Sequence, residues 1–339
     1  MAARAFIVGL RGTVLNAEER DFLRSARPWG VILFKRNIES PQQVRALVES
    51  VRDALGTRAP VLVDQEGGRV QRLGPPHWPV YPPGAAYGCL YDRDPALGCA
   101  AAKLGARLIA SDLHALGIDV DCLPVADVPV SSADPVIGDR AYGETPAKVA
   151  AIAGAIAEGL LAGGVLPVLK HLPGHGRAGV DSHHKLPVVT AERAVLEATD
   201  FAAFRPLAGL PLGMTAHVVF TALDPVLPAT ASPAVIGAVI RGAIGFGGLL
   251  MSDDLCMGAL SGSMAERTRA ALAAGCDMAL HCNGNIEEMR EVAAGAPELG
   301  GAAAQRAERA LASRRPPADI DVAAARARFS TMMAPEPAS

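Results

Sequence analysis

Short apolar runs recur along the chain, and between them the apolar positions take a helical spacing. The runs lie at residues 5–10, 30–34, 61–64, 118–124, 165–171, 212–217, 248–253 and 277–282. They are apolar throughout rather than alternating, the pattern of parallel strands covered on both faces. Segments 41–55, 95–116, 146–162, 191–207, 233–244, 263–274 and 286–294 read as helices, with two more at 302–314 and 320–329. Ser40-Pro41, Asp94-Pro95, Thr145-Pro146 and Ser232-Pro233 each set a capping side chain before a proline. Proline is harmless at the first helical position, where an N–H would go unpaired anyway. Gly56, Gly117, Gly163 and Gly275 stand just past helix ends, where a left-handed residue closes the last turn. Eight such alternations predict an α/β fold, a single closed (β/α)8 TIM-type barrel. The rival is an open doubly wound sheet, but the first turn reads Gly9-Leu10-Arg11-Gly12 and lacks the Gly-x-Gly-x-x-Gly of that fold.

No linker composition divides the chain. Residues 1–332 are therefore expected to form one catalytic barrel domain, with 333–339 a frayed tail. Segments 149–169 and 233–251 imitate membrane spans. Glu158, Gly163-Gly164 and Pro167 interrupt the first, and Arg241 and Gly247-Gly248 the second, so each reads as helix, turn and buried strand. The run at 5–10 is too short for the core of a secretory leader and meets Arg11 at once. The expectation is a soluble, cytoplasmic monomer with no membrane partner.

Composition narrows the function classes. The 32 Lys+Arg against 35 Asp+Glu leave a formal charge of −3, without the basic excess of a phosphate-tracking protein, so no nucleic-acid partner is expected. Half of the 339 residues are hydrophobic, too many for a disordered chain. Cys89, Cys99, Cys122, Cys256, Cys276 and Cys282 are scattered and form no Cys-x-x-Cys pair. That fits small buried hydrophobes in a reducing compartment better than a disulfide framework or a zinc ribbon. Only 4% of residues are aromatic, which argues against a long open cleft lined with stacking platforms and for a small pocket.

Candidate chemistry gathers at the strand ends: Asp64-Gln65-Glu66, Lys170-His171, Thr215-Ala216-His217, Ser252-Asp253-Asp254 and His281-Cys282-Asn283. Polar groups directly after apolar strands are costly to bury without partners. In a barrel these ends converge on one face, where active sites are built. Four of the eight histidines, His171, His175, His183 and His184, fall within fourteen residues of a Gly/Pro-rich segment. Asp181 and His183 stand two apart, which in extended backbone puts both side chains on one side. A carboxylate beside an imidazole fixes its tautomer and favours its protonated form, giving a proton donor near neutral pH. Zinc ligation by the same cluster is the alternative, but no ligand follows strand one and no His-Glu-x-x-His occurs, so no metal and no other cofactor is expected. Asp253, rigid at the end of a buried run, suits a nucleophile, whereas Asp254 suits a helix cap. Asp64, Arg72 and Arg140 suit orientation of a hydroxylated ligand.

At these residues the chain resembles the β-N-acetylhexosaminidase branch of family 3 glycoside hydrolases. The matching motifs, in order, are Asp64-Gln65-Glu66-Gly67-Gly68-Arg69-Val70-Gln71-Arg72, Lys170-His171-Leu172-Pro173-Gly174-His175-Gly176, Asp181-Ser182-His183 and Ser252-Asp253-Asp254-Leu255. The resemblance covers residues 5–295. It implies a barrel that removes non-reducing terminal N-acetylglucosamine, in the cytoplasm, from muropeptides (GlcNAc β-1,4-linked to 1,6-anhydro-N-acetylmuramic acid, with or without peptide) during cell-wall recycling. It implies Asp253 as nucleophile, His183 as acid/base with Asp181 its partner, and Asp64, Arg72, Arg140, Lys170 and His171 as sugar-binding residues. The implied reaction is retaining double displacement through a covalent glycosyl-Asp intermediate. Three other functions compete. A phosphorylase on the same site is the nearest, since a His acid/base does not repel phosphate as Glu would. A non-catalytic sugar-binding protein would not need a nucleophile, and a metal-dependent amidohydrolase would be sensitive to EDTA.

Overall fold

The computed structural model describes residues 2–334. Its centre is a closed barrel of eight parallel strands: β1 (Arg4–Gly9), β2 (Pro28–Leu33), β3 (Val61–Val63), β4 (Val120–Asp121), β5 (Leu166–Leu172), β6 (Leu212–Thr215), β7 (Leu249–Asp254) and β8 (Met278–His281). Each strand pairs with its neighbour in sequence, and β1 closes the ring by pairing with β8 through Phe6↔Ala279 and Ile7↔Leu280. The (β/α)8 barrel expected from the alternation is the one that forms.

The alternation of side chains explains why the strands read as unbroken apolar runs. Ile7, Ile32, Leu62, Val120, Val168, Met214, Met251 and Leu280 point inward and form the barrel core. Phe6, Val8, Val31, Leu33, Val61, Val63, Leu169 and Leu250 point outward into the layer shared with the helices. Both faces are buried, so neither needs polar residues. Ala307 and Ala310 of helix Gly301–Ala312 close the lower end of the barrel core. Asp119, just before β4, is paired with Arg52 and Arg314, and Asp277, just before β8, with Arg241 and Arg306. Charge at the N-terminal strand ends is thus committed to holding the barrel shut, which leaves the opposite mouth for chemistry.

Ser40, Asp94 and Ser232 accept backbone N–H bonds at their helix starts as expected, while Thr145 does not. At the end of helix Pro146–Ala162 the left-handed glycine is Gly164 (φ 77°) rather than Gly163. The helix expected over 191–207 breaks into Arg193–Ala198, Asp200–Phe204 and a 3-10 turn Arg205–Leu207. The break falls at Thr199, where the Arg177 guanidinium bonds both Thr199 Oγ1 and Asp200 Oδ2. The segment expected as an α-helix over 233–244 is instead a π-helix, Val235–Ala243, and Ile244 N–H reaches back five residues to Val239 O. Helices Ala17–Ala26 and Gly84–Arg93 were not foreseen. The first buries only Glu19, Phe22, Leu23 and Ala26, too narrow a stripe to stand out, although its Asn16/Glu19 capping box was readable. The second carries two glycines, and Gly88 packs so closely on Tyr142 that an added Cβ would lie 2.1 Å from its carbonyl oxygen. Of the expected frayed tail, Met333 ends helix Val322–Met333, and residues 335–339 lie outside the described residues. Among the described residues, no helix is long and apolar enough to cross a membrane.

Candidate active site

The barrel mouth holds a cavity of about 280 Å³. Asp64, Arg72, Arg140, Lys170, His171, Asp181, His183 and Asp253 all line it, together with Glu66, His175, Phe34 and Asp254. Every site residue named from the sequence therefore reaches one space.

One wall is an ionic network. Lys170, on β5, is buried and sits 3.1 Å from Asp64 Oδ1 and 2.7 Å from Glu66 Oε1. Arg140 grips Glu66 with two parallel bonds of 2.8 Å, from Nε to Oε2 and from Nη2 to Oε1. Arg72 donates from Nη2 to Asp64 Oδ2 at 3.0 Å and lies over the Phe34 ring. Burial alone would push Glu66 up, but Arg140 and then Lys170 pull its carboxyl down to about 2. Lys170 and Arg72 hold Asp64 well below the carboxylate range against the same burial cost. Lys170 is raised despite burial because both carboxylates face it. Asp64, Glu66, Arg140 and Lys170 are thus charged at neutral pH. Lys170 spends two of its three donors on this network and Arg140 most of its fork, so the wall presents few free donors, in fixed directions.

Arg140→Ala strips Glu66 of its bidentate partner inside the protein. The expected result is a loss of about 3–5 kcal/mol at pH 7, read as a lower urea midpoint. The pH dependence carries the sign. The Glu66 carboxyl lies below its ordinary 4.5, so the stability it contributes is complete above 4.5 and is lost as pH falls through about 2. In Arg140→Ala that acid slope should shrink; an unchanged slope would show that Arg140 does not set it.

A second group orients two histidines. His171 Nδ1–H donates to Asp127 Oδ2 at 2.6 Å, and the backbone N–H of His175 donates to Asp127 Oδ1 at 2.6 Å. With Nδ1 engaged, Nε2 is the nitrogen His171 keeps for the cavity. His175 Nε2 lies 3.0 Å from Ser182 Oγ, which pins the segment leading to His183. Burial, reinforced by nearby His171, pushes His175 down to about 4, so it is neutral.

The Asp181–His183 pair sits at the rim. His183 Nδ1–H donates to Asp181 Oδ1 at 2.7 Å, and the His183 backbone N–H reaches the same oxygen at 2.9 Å. A little burial would raise Asp181, but these two bonds from His183 hold it below the usual range. The His183 ring is 60% exposed, so its free Nε2 can meet both substrate and solvent. The loop rests on the segment after β7: Gly258 N–H donates to His183 O and Ala259 N–H to Ser182 O. A Cβ on Gly258 would come within 3.0 Å of the His183 and His184 carbonyls.

Asp253 ends the buried run of β7. Burial raises its carboxyl, but the imidazoles of His171 and His217, the Asp254 N–H and Lys170 outweigh that and hold it lowered. Its Oδ1 accepts the Asp254 N–H at 2.8 Å. Asp254 is not the helix cap expected from sequence, since the next helix starts only at Met264. Its Oδ1 accepts the N–H groups of Cys256 and Cys282 and so ties β7 to β8. Sequence reasoning missed the anchoring of Glu66, Asp127 and His175. Only Asp127 gave a signal, as a lone carboxylate within the apolar Val125-Ala126-Asp127-Val128.

Comparison with known proteins places these features in context. A model of the glycosyl hydrolase family 3 N-terminal domain matches residues 7–311. A β-hexosaminidase from Alkalilimnicola ehrlichii is 44% identical over 281 residues, covering 82% of this chain and 80% of that protein. One from Bordetella avium is 37% identical over the same length, covering 80% of that protein. NagZ from Neisseria gonorrhoeae, solved with N-trifluoroacetyl-D-glucosamine, superposes with a TM-score of 0.87 at 30% identity over 99% of both chains. A family 3 β-N-acetylglucosaminidase from Paenibacillus sp. FPU-7 superposes with a TM-score of 0.81 at 30% identity; the match covers 99% of this chain, which spans 63% of that one.

Proposed function

The chain belongs to glycosyl hydrolase family 3 and is a glycoside hydrolase of the β-N-acetylhexosaminidase kind, and we propose that it releases non-reducing terminal β-linked N-acetylglucosamine by retaining double displacement. The observation that supports this most is the meeting of Asp253 with the Asp181–His183 pair around one sugar-sized cavity. In the first step a carboxylate oxygen of Asp253 attacks the anomeric carbon. The glycosidic C–O bond breaks, and His183 gives its Nε2 proton to the departing oxygen. In the second step His183 takes a proton from water, the water attacks the anomeric carbon, and Asp253 departs as carboxylate. Asp181 acts as a positioning residue: it holds Nδ1, so the proton in flight is the one on Nε2. Asp64, Arg72, Arg140, Lys170 and His171 bind the sugar, and His171 and Lys170 are among the groups that hold the Asp253 carboxyl lowered.

The substrate class is a muropeptide, N-acetylglucosamine β-1,4-linked to 1,6-anhydro-N-acetylmuramic acid with or without its peptide, processed in the cytoplasm by a monomer. The small cavity suits one terminal sugar, and the exposed rim at His183 leaves the aglycone outside. The test uses that disaccharide. Release of β-configured N-acetylglucosamine, seen by NMR before mutarotation, supports the proposal, and α-configured product opposes it. N-acetylglucosamine 1-phosphate appearing when phosphate is added would turn the assignment to a phosphorylase. A 5-fluoro glycosyl donor should leave its label on Asp253; label on Glu66 or Asp254 would overturn the nucleophile.

A further inference from the structure

Behind the sugar site, the ends of β7 and β8 bring a thiol, an imidazole and a carboxylate together. Cys256 follows β7, His281 is the last residue of β8, and Glu288 lies in the first turn of helix Ile286–Gly295. Their ligand atoms all fall within 4.8 Å of one another. His281 Nε2 is 3.2 Å from Glu288 Oε2, and Cys256 Sγ is 3.8 Å from the same oxygen. A tetrahedral zinc ion with bonds of about 2.0–2.1 Å to nitrogen, about 2.1 Å to oxygen and about 2.3 Å to sulfur would set these separations near ~3.4 and ~3.6 Å. Two of the three separations thus stand within a few tenths of an ångström of that geometry; Cys256 Sγ and His281 Nε2 lie within 4.8 Å of each other, and Asn283 Nδ2 also donates to Glu288 Oε2 at 2.7 Å. The His281 side chain is fully buried, and its Nδ1 has no hydrogen-bond partner. Nε2 is thus the nitrogen it turns to Glu288 and Cys256. The Arg36 guanidinium is turned to the carbonyls of Leu10 and Cys282, and that of Arg267 to the carbonyls of Leu255 and Met257.

We propose that Cys256, His281 and Glu288 form a zinc site, with a solvent molecule as the open fourth ligand. Cys256 binds as thiolate and releases its proton to solvent, so the negative charge of thiolate and carboxylate is matched by the ion. This set contains none of the residues assigned above to sugar binding or bond cleavage. Asp254 Oδ1 holds the Cys256 and Cys282 N–H groups, so the ion would lock the β7–β8 junction directly behind Asp253. An ion that binds the folded chain in preference to the unfolded one also raises its melting temperature.

The test is a titration of the full, reduced, metal-stripped chain with Co²⁺, then with Zn²⁺. Expected are a thiolate-to-cobalt charge-transfer band in the near ultraviolet, one zinc equivalent by calorimetry and a higher melting temperature. Cys256→Ser should abolish the band and the zinc equivalent while leaving metal-free hydrolysis and the metal-free melting temperature unchanged. Glu288→Gln should weaken binding by about tenfold or more. The Asp181–His183–Asp253 set contains no sulfur, and Cys282 is the thiol that lines the same cavity, so a band from an ion held there would survive Cys256→Ser and would overturn the proposal. Absence of the band overturns the proposal. So does a band that survives Cys256→Ser and disappears with the exposed Cys89 replaced by Ser, or zinc uptake lost in His183→Ala and retained in Cys256→Ser.

Discussion

Asp253→Asn is expected to lower kcat on any β-N-acetylglucosaminide by about 10⁴-fold or more, the scale on which losing a nucleophile is felt. The change is nearly isosteric, so it tests chemistry rather than packing. Asn keeps an oxygen for the Asp254 N–H, the one backbone bond Asp253 accepts. It loses the negative charge that faces His171, His217 and Lys170. The melting temperature should therefore move little while turnover collapses. Asp253→Ala makes the argument sharper by opening space on that face of the sugar. Azide supplied in solution should then restore turnover of an activated aryl glycoside and leave an α-glycosyl azide, because it attacks from where the carboxylate stood. Turnover in Asp253→Asn within about tenfold of the parent chain, on a scale where covalent catalysis contributes far more, would remove Asp253 from the mechanism.

The adjacent carboxylate is a poor substitute for structural reasons. One oxygen of Asp254 is committed to two backbone N–H groups, one just after β7 and one just after β8. Moving it to an anomeric carbon would open the β7–β8 junction. Both acids border the cavity, but they differ in commitment: Asp253 accepts the N–H of Asp254, whereas Asp254 Oδ1 is held by the N–H groups of Cys256 and Cys282 at the barrel mouth.

How much of this could be read from the sequence follows from where each partner lies. The strands were legible because a parallel barrel buries both faces of each strand, a local property of a few successive residues. The Asp181–His183 pair was legible for the same reason, since both partners sit within three positions. The supports were not. Glu66 meets Arg140 seventy-four residues away, and Asp127 meets His171 at forty-four. Only barrel closure brings those positions together, and no local pattern encodes it. Arg140 read equally as a residue that orients a hydroxylated ligand or as half of a structural ion pair, and the sequence did not say that Glu66 takes most of its guanidinium. Cys256 and His281 were named separately, but their meeting with Glu288 was not readable, since the three come from two strand ends and a helix. Helix Ala17–Ala26 shows the complementary failure: its cap was written locally, but its burial depends on neighbours outside the segment.

His183→Ala should produce the second-largest loss, and its size should depend on the leaving group. For a sugar aglycone, whose departing oxygen is a strong base, loss of the proton donor is expected to cost about 10²–10⁴-fold in kcat/KM. For an aryl glycoside with an acidic phenol the departing oxygen needs little help, so the first step should suffer far less. The second step still needs His183 to draw a proton from water. The variant should therefore show a burst of phenol followed by slow turnover as glycosyl-Asp253 accumulates, and azide should relieve that block because it needs no deprotonation. Asp181→Asn should behave as a milder version, since Asn leaves the imidazole in place but withdraws the carboxylate 2.7 Å from Nδ1. A His183→Ala variant that lost the same factor on both substrate types, with no burst, would show that His183 supports the loop rather than carrying the proton.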